Sequence, residues 1–92
     1  MIQHIVMQAL RADHDPAELA AVMQGLAALT SAIDGYDGFS HGPNRDFEDL
    51  SKPYDYGFIC TFADADALAT YASDPRHKAL GGRLVALCEG GV

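Results

Sequence analysis

The sequence predicts an α+β fold, in which helices cover one face of a small antiparallel sheet. Short runs of alternating apolar residues, which are typical of strands, occur at the amino terminus and again near residues 54–62. Longer segments, in which apolar residues recur every three or four positions, indicate amphipathic helices between and after them. A chain of 92 residues suits one domain, which we expect to span residues 1–92.

The first strand is predicted over residues 2–10. This run is rich in β-branched residues and is followed by a polar turn, which favours a strand over a helix. Because side chains alternate along a strand, His4, Val6 and Gln8 should share one face and Ile5 and Met7 the other.

A helix is predicted to begin at Asp15 and Pro16. Aspartate is a preferred N-cap residue, proline is favoured at the first helical position, and Glu18 suits the first turn. Gly35 is a natural stop signal. The apolar residues step by three and four and predict a buried stripe of Leu19, Val22, Met23, Leu26, Leu29 and Ile33.

Two further strands follow the helix. Residues 36–44 alternate loosely and predict a weaker strand, whereas the charged residues 45–53 predict a loop. Residues 54–62 alternate clearly, which predicts a strand with one apolar face made of Tyr56, Phe58, Cys60 and Phe62.

Two more helices complete the pattern. Asp64 is the expected cap of a helix over residues 65–72, which Pro75 ends, and a third helical pattern runs from about 76 to 88. This order of elements fits the split β-α-β arrangement of ferredoxin-like folds. The chain ends at Val92, so the final strand of that arrangement is expected to be absent or a stub.

The charge pattern excludes several partners. The formal net charge is −7, the pI is about 4.7, and the six Lys and Arg residues form no cluster, so nucleic acid and anionic membrane surfaces are not expected as partners. No apolar run reaches the roughly 18–20 residues of a membrane span.

Cys60 and Cys88 lie far apart and predict two buried, reduced thiols in a cytoplasmic protein.

Several segments, in this order and spacing, resemble the stress-responsive A/B barrel domain family, known as Dabb. They are Ile2-Gln3-His4-Ile5-Val6, Gly35, Gly42-Pro43-Asn44, Tyr54-Asp55-Tyr56-Gly57-Phe58, Tyr71 and Pro75-Arg76-His77. The resemblance implies a ferredoxin-like chain whose sheet packs against that of a second copy, which gives a homodimeric α/β barrel. It also implies a pocket for a small apolar ligand between sheet and helices, which we expect to be lined by Val6, Gln8 and Phe58.

The resemblance further implies candidate catalytic residues. Most members of the family have no assigned activity, but a plant polyketide cyclase, olivetolic acid cyclase, closes a ring by aldol chemistry. The positions of this chain that match its functional residues are His4, Tyr71 and His77. No cofactor is implied, and no spacing of His4, His41 and His77 supports a metal site.

The chemistry of these residue types is coherent with that role. Histidine has an unperturbed pKa of about 6.5, which suits a base that removes a proton beside a carbonyl, and a tyrosine hydroxyl can stabilise the enolate oxygen. A purely structural role is equally coherent, with Tyr71 burying its ring and His77 bonding to backbone groups at a helix start. The sequence therefore favours a homodimeric ligand-binding module, with a polyketide cyclase-like enzyme as the alternative.

One position departs from the family pattern. The family usually has histidine before the proline, in a His-Pro-x-His motif, and this chain has Asp74 there. The change leaves the electrostatics beside His77 open.

Overall fold

A computed structural model describes residues 1–50 and 53–90. The chain folds as β1 (Ile2–Gln8), α1 (Pro16–Ala28), a 3₁₀ turn (Leu29–Ser31), β2 (Tyr36–Pro43), β3 (Tyr56–Phe62), α2 (Ala65–Ser73) and α3 (Pro75–Ala86). The three strands form an antiparallel sheet in the order β1-β3-β2. The predicted α+β, ferredoxin-like fold is confirmed.

The sheet has two unlike faces. The strand register places the residues of the face that packs against the helices, here called the covered face, at Ile2, His4, Val6, Gln8, Tyr36, Phe39, His41, Tyr56, Phe58, Cys60 and Phe62. The opposite face, here called the open face, carries Gln3, Ile5, Met7, Gly38, Ser40, Gly42, Gly57, Ile59 and Thr61. The predicted face assignments in β1 and β3 are therefore confirmed.

The core lies between the covered face and the helices. The stripe predicted for α1 is buried in full, but the α-helix ends at Ala28 and continues only as the 3₁₀ turn. The chain then turns at Gly35, whose φ of 81° suits glycine, and a Cβ there would lie 2.7 Å from the Cβ of Ala67. Gly35 thus brings the start of β2 close to α2.

Side-chain caps begin the other two helices. The Asp64 carboxylate accepts a hydrogen bond from the Ala67 N–H at 2.9 Å, as the sequence predicts. Asp74 accepts from the Arg76 N–H at 2.8 Å, and Pro75 occupies the first position of α3. The sharp joint at Asp74 places the first turn of α3 against the last turns of α2.

An isolated β-bridge lies just beyond the end of β1. Leu10 and Cys88 form an antiparallel bridge, in which the Arg11 N–H donates to the Leu87 carbonyl and the Glu89 N–H to the Ala9 carbonyl, both at 2.8 Å. The final strand, expected to be absent or a stub, is represented in residues 53–90 by this isolated bridge alone, and residues 91 and 92 lie outside the described residues. Among the described helices, none has the length and apolar character to cross a membrane.

Candidate functional site

The fold brings two of the three predicted catalytic residues, Tyr71 and His77, into direct contact, and the third, His4, lies near His77. The rings of Tyr71 in α2 and His77 in α3 pack with their centroids 4.0 Å apart and an angle of 36° between them. His4 lies close enough for its charge to lower the pKa of His77. His4 is exposed, His77 half-buried, and Tyr71 only 1% exposed.

Tyr71 also belongs to a buried aromatic cluster with Tyr36 and Phe62. The ring centroids of Tyr36 and Phe62 are 4.8 Å apart, and the ring of Tyr71 lies 5.0 Å from each of them. Such contacts contribute packing free energy beyond the buried area. The position of Tyr71 is therefore fixed by the core as much as by His77.

The hydroxyl of Tyr71 points to the interior. It lies 3.8 Å from the Sγ of Cys60, and the hydroxyl of Tyr36 lies 3.4 Å from the same sulfur. Burial raises the pKa of both tyrosines and of the Cys60 thiol, so all three groups stay protonated at neutral pH. The hydroxyl can donate a hydrogen bond, but a ligand oxygen would have to compete with Cys60 for it.

His77 retains an unused polar atom. Its Nδ1 is buried and has no hydrogen-bond partner among the described residues. Burial is the main cause that lowers the pKa of His77, and the Ala72 carbonyl partly offsets it. The imidazole is therefore neutral near pH 7, which is the form a general base requires.

The lowered pKa of His77 predicts a pH dependence of stability. The unfolded chain takes up the proton near pH 6.5, but the folded chain does so only at lower pH. Stability should therefore be fully present above pH 6.5 and fall as the pH drops below it. NMR titration of the His77 ring should give a pKa below 6.5, and His77→Gln should flatten the fall of melting temperature between pH 7 and 5. An unchanged fall of the melting temperature in His77→Gln would contradict this prediction.

Asp74 forms an ion pair at the start of α3. Its carboxylate contacts the Arg76 guanidinium twice, Oδ1 to Nε at 3.0 Å and Oδ2 to Nη2 at 2.7 Å. The hydrogen bond from Arg76 is the main reason that the pKa of Asp74 falls to about 2. Asp74 thus orders the first turn of α3, from which His77 projects.

Asp74→Ala is therefore expected to lower the melting temperature, because it removes both the cap of α3 and the ion pair. The ionised carboxylate stabilises the fold above pH 3.8, and this contribution is lost as the pH falls from 3.8 towards 2. In thermal melts, the difference in melting temperature between Asp74→Ala and wild type should be larger at pH 7 than at pH 2. Asp66→Ala, which removes a carboxylate from the first turn of α2, is the matched control. An equal loss in both variants would show that only the helix dipole matters.

A cleft of about 500 Å³ runs along β1 beside His4. It is lined by His4, Ile5, Val6, Met7 and Tyr54. This volume lies within the range of ligand sites, and its lining is apolar with an imidazole and a phenol, as such sites usually are. Tyr71 and His77 do not line it.

A second cavity, of about 270 Å³, lies on the open face around the cross-strand pair Gly42 and Gly57. Among the residues predicted to line a pocket, Val6 borders both hollows and Phe58 borders the second. Gln8 borders neither and is 0% exposed. Its Nε2 donates to the Val6 carbonyl at 3.3 Å, and its Oε1 has no partner among the described residues.

The sequence did not predict two side-chain placements, those of Tyr54 and His41. Tyr54 lines the β1 cleft, although its segment was predicted only as the start of a strand. The antiparallel pairing of Gln8 with Tyr56, unknown from sequence, is what brings Tyr54 beside β1. His41 does not join His4 and His77; its Nδ1 lies 2.6 Å from the Tyr56 hydroxyl. No group of three or more potential metal ligands occurs within residues 1–50 and 53–90.

The fold defines a small ferredoxin-like α+β protein in which Tyr71 and His77 are in ring contact. The Dabb family profile, "Stress responsive A/B Barrel Domain", matches residues 2–92, and the chain belongs to that family. No curated protein matches the sequence significantly.

Solved structures share the fold. A dimeric ferredoxin-like protein of unknown function from Jannaschia sp. CCS1 is 42% identical, with a TM-score of 0.90 over 98% of this chain and 87% of that chain. An Arabidopsis thaliana protein is 21% identical, with a TM-score of 0.87 over 100% of this chain and 89% of that one. A hydroxynitrile lyase from Passiflora edulis is 14% identical, with a TM-score of 0.82 over 98% and 85%. The last two likenesses concern the fold alone.

Proposed function

We propose that this protein is a cytoplasmic homodimer that binds a small apolar ligand in the cleft along β1. The cleft carries the proposal, because it joins about 500 Å³ of largely apolar space to the polar groups of His4 and Tyr54. A ligand with an apolar body and one carbonyl or hydroxyl group would match this lining. The two free, buried cysteines support a reducing compartment.

The homodimer is supported by the open face and by a relative. Ile5 is 61% exposed there, and Met7 and Ile59 are only partly buried, so the face leaves apolar side chains in contact with water. The Jannaschia protein, 42% identical, is described as dimeric. A second copy on the open face would remove these side chains from water.

The first test is the mass in solution. Light scattering at micromolar concentration should give twice the chain mass of 9.8 kDa. A mass of one chain would contradict the homodimer.

The second test measures ligand binding by thermal shift. Anilinonaphthalene sulfonate and medium-chain alkyl ketones are suitable probes. Ligand at a hundred times its Kd stabilises the native state by about 2.7 kcal/mol, which corresponds to a rise on the order of 10 °C in a domain of this size. Tyr54→Ala should remove the shift, because Tyr54 lines the cleft, whereas Phe47→Ala, which truncates an exposed aromatic residue outside the cleft, should keep it. Equal shifts in both variants would locate binding elsewhere.

The alternative function is a cofactor-independent enzyme that enolises or cyclises a polyketide-like substrate by aldol chemistry. It is favoured by the neutral imidazole of His77 with its unbonded Nδ1, in ring contact with Tyr71 and near His4. His77 would take the proton beside the carbonyl, and Tyr71 would donate to the enolate oxygen. We rank binding without turnover first, because the Tyr71 hydroxyl points into the interior and contacts Cys60. Turnover of a β-ketoacyl substrate that His77→Ala abolishes, with the fold intact, would reverse this order.

A further inference from the structure

Gln8 is a buried polar side chain whose hydrogen bonds the fold leaves incomplete. It is 0% exposed and lies on the covered face of β1, in the row formed by His4, Val6 and Gln8. Its Nε2 donates to the Val6 carbonyl at 3.3 Å, and its Oε1 is buried without a partner among the described residues. Because a carbonyl oxygen can only accept, this bond fixes which amide atom is Nε2 and leaves Oε1 as an unused acceptor.

The side-chain donors that the strand pairing places near Gln8 are engaged elsewhere. Tyr56 is its cross-strand partner, and the Tyr56 hydroxyl lies 2.6 Å from Nδ1 of His41. Cys88 bridges to the residue two positions after Gln8, and its thiol donates to the Leu84 carbonyl at 3.2 Å. A buried acceptor without a partner costs free energy, so Oε1 requires a donor other than these side chains.

The cleft along β1 leads towards this amide. His4 and Val6, the other two members of the row, both border the cleft. Gln8 follows Val6 by two residues, which places its Cα roughly 7 Å further along the same face. Tyr54, which also borders the cleft, is held near this end of β1 because the Asp55 N–H donates to the Gln8 carbonyl at 3.0 Å. Gln8 therefore lies just beyond the apolar part of the cleft.

One long hydrogen bond holds the amide in its buried position. The 3.3 Å between Nε2 and the Val6 carbonyl exceeds the usual length of about 2.9–3.0 Å for such a bond, and Oε1 adds no second one. Rotation about the side-chain bonds of Gln8 thus breaks one weak interaction and brings out an acceptor that the folded chain does not use. A ligand hydroxyl at this end of the cleft can supply the missing donor.

We propose that Gln8 selects ligands that carry a hydroxyl group, because its Oε1 accepts a hydrogen bond from that hydroxyl. This inference rests on the proposed ligand-binding function and names the class of ligand, an apolar chain that lies along His4 and Val6 and ends in an alcohol or a phenol. A ligand that ends in a ketone or an ether has no donor and leaves Oε1 unpaired. Sites that hydrogen-bond a substrate hydroxyl reject analogues without one for this reason.

The test compares two isomers that differ in the hydroxyl group. Octanol and heptyl methyl ether contain the same atoms, but only octanol can donate a hydrogen bond. NMR titration of the wild type should give a dissociation constant roughly tenfold lower for octanol than for the ether, which is the effect expected of pairing one buried acceptor. The side-chain amide proton signals of Gln8 should shift more with octanol than with the ether.

A matched pair of variants makes the test specific. Gln8→Met removes the amide and keeps an unbranched side chain of similar length. The preference for octanol should disappear in this variant. Its ligand-free melting temperature should stay close to that of the wild type, because one weak bond and one unpaired acceptor are lost together. Gln24→Met, the same change at an exposed position of α1, should keep the preference.

The possible results separate this inference from the proposed function. Equal binding of the two isomers to the wild type, or a preference for octanol that persists in Gln8→Met, would overturn the role of Gln8, and Oε1 would then hold an internal water. Should Gln8→Met not fold, the wild-type preference and the Gln8 signals decide the question. Failure of both isomers to bind the wild type would overturn the proposed ligand-binding function and this inference with it.

Discussion

Ile5→Lys is expected to convert the homodimer to monomers. Ile5 lies on the open face, and burial of its side chain against a second copy would contribute roughly 1.5–3 kcal/mol per copy. A lysine there must either expose its ammonium by opening the interface or bury an unpaired charge, and both costs arise twice in a symmetric dimer. The substitution changes the formal net charge of each chain from −7 to −6, so long-range repulsion between copies decreases. Dissociation would therefore have to come from the lost apolar contact and the cost of burying the ammonium, and not from long-range repulsion.

Val85→Lys provides the control for this prediction. Val85 is 45% exposed on α3, in the opposite layer of the fold, and its replacement adds the same charge to a surface apolar residue. Light scattering at equal protein concentrations should show a monomer for Ile5→Lys and a dimer for Val85→Lys. Dissociation of the Val85 variant alone would place the interface on the helical layer.

The elements that the sequence predicts well have strong local signals. The start of α1 follows from Asp15 and Pro16, and the buried face of β3 follows from strict alternation. The end of α1 was less well predicted, because Leu29 and Ile33 continue the apolar stripe after the α-helical hydrogen bonds have given way to a 3₁₀ turn. Burial needs only that a side chain points inwards, so the stripe cannot locate the last α-helical residue.

The site could be predicted only in part. The family resemblance selects Tyr71 and His77, and the helix joint at Asp74 explains why two residues six positions apart come into ring contact. Neither the inward direction of the Tyr71 hydroxyl nor the exposure of His4 could be predicted, because the first depends on how α2 packs against Cys60 of β3 and the second on how β1 is placed in the sheet. For Cys60 the sequence predicted the burial of the thiol but not its polar contacts. The thiol was predicted as a buried apolar group, and it lies within 4 Å of two tyrosine hydroxyls.

Asp74 has a structural role at the start of α3. Its carboxylate caps this helix and forms an ion pair with Arg76. The negative charge of Asp74 opposes the fall in the pKa of His77 that burial causes. Asp74 therefore partly offsets the lowered pKa of His77 and stabilises the start of α3.

Tyr71→Ala is expected to cause the largest loss of stability of the single substitutions considered. Tyr71 packs against Tyr36, Phe62 and His77, and removal of a buried aromatic side chain costs about 3–5 kcal/mol. Domains of this size have a total stability of about 5–15 kcal/mol, so the variant should be partly unfolded near physiological temperature. Chemical denaturation at a fixed protein concentration measures the difference, because dimerisation makes apparent stability depend on concentration.

Tyr71→Phe separates the ring of Tyr71 from its hydroxyl. The ring contacts remain, and only the 3.8 Å contact with the Cys60 sulfur is lost, so the cost in stability should stay below about 1 kcal/mol. Tyr54→Ala, which truncates a 44% exposed tyrosine, should also cost less than about 1 kcal/mol and shows what loss of a surface ring does. A large loss in Tyr71→Phe would mean that the bond to Cys60, and not the packing of the ring, holds the cluster. Tyr71→Phe could instead keep its stability but lose turnover of a β-ketoacyl substrate. The Tyr71 hydroxyl would then have to leave Cys60 and donate to the substrate during the reaction. That result would support the enzymatic alternative.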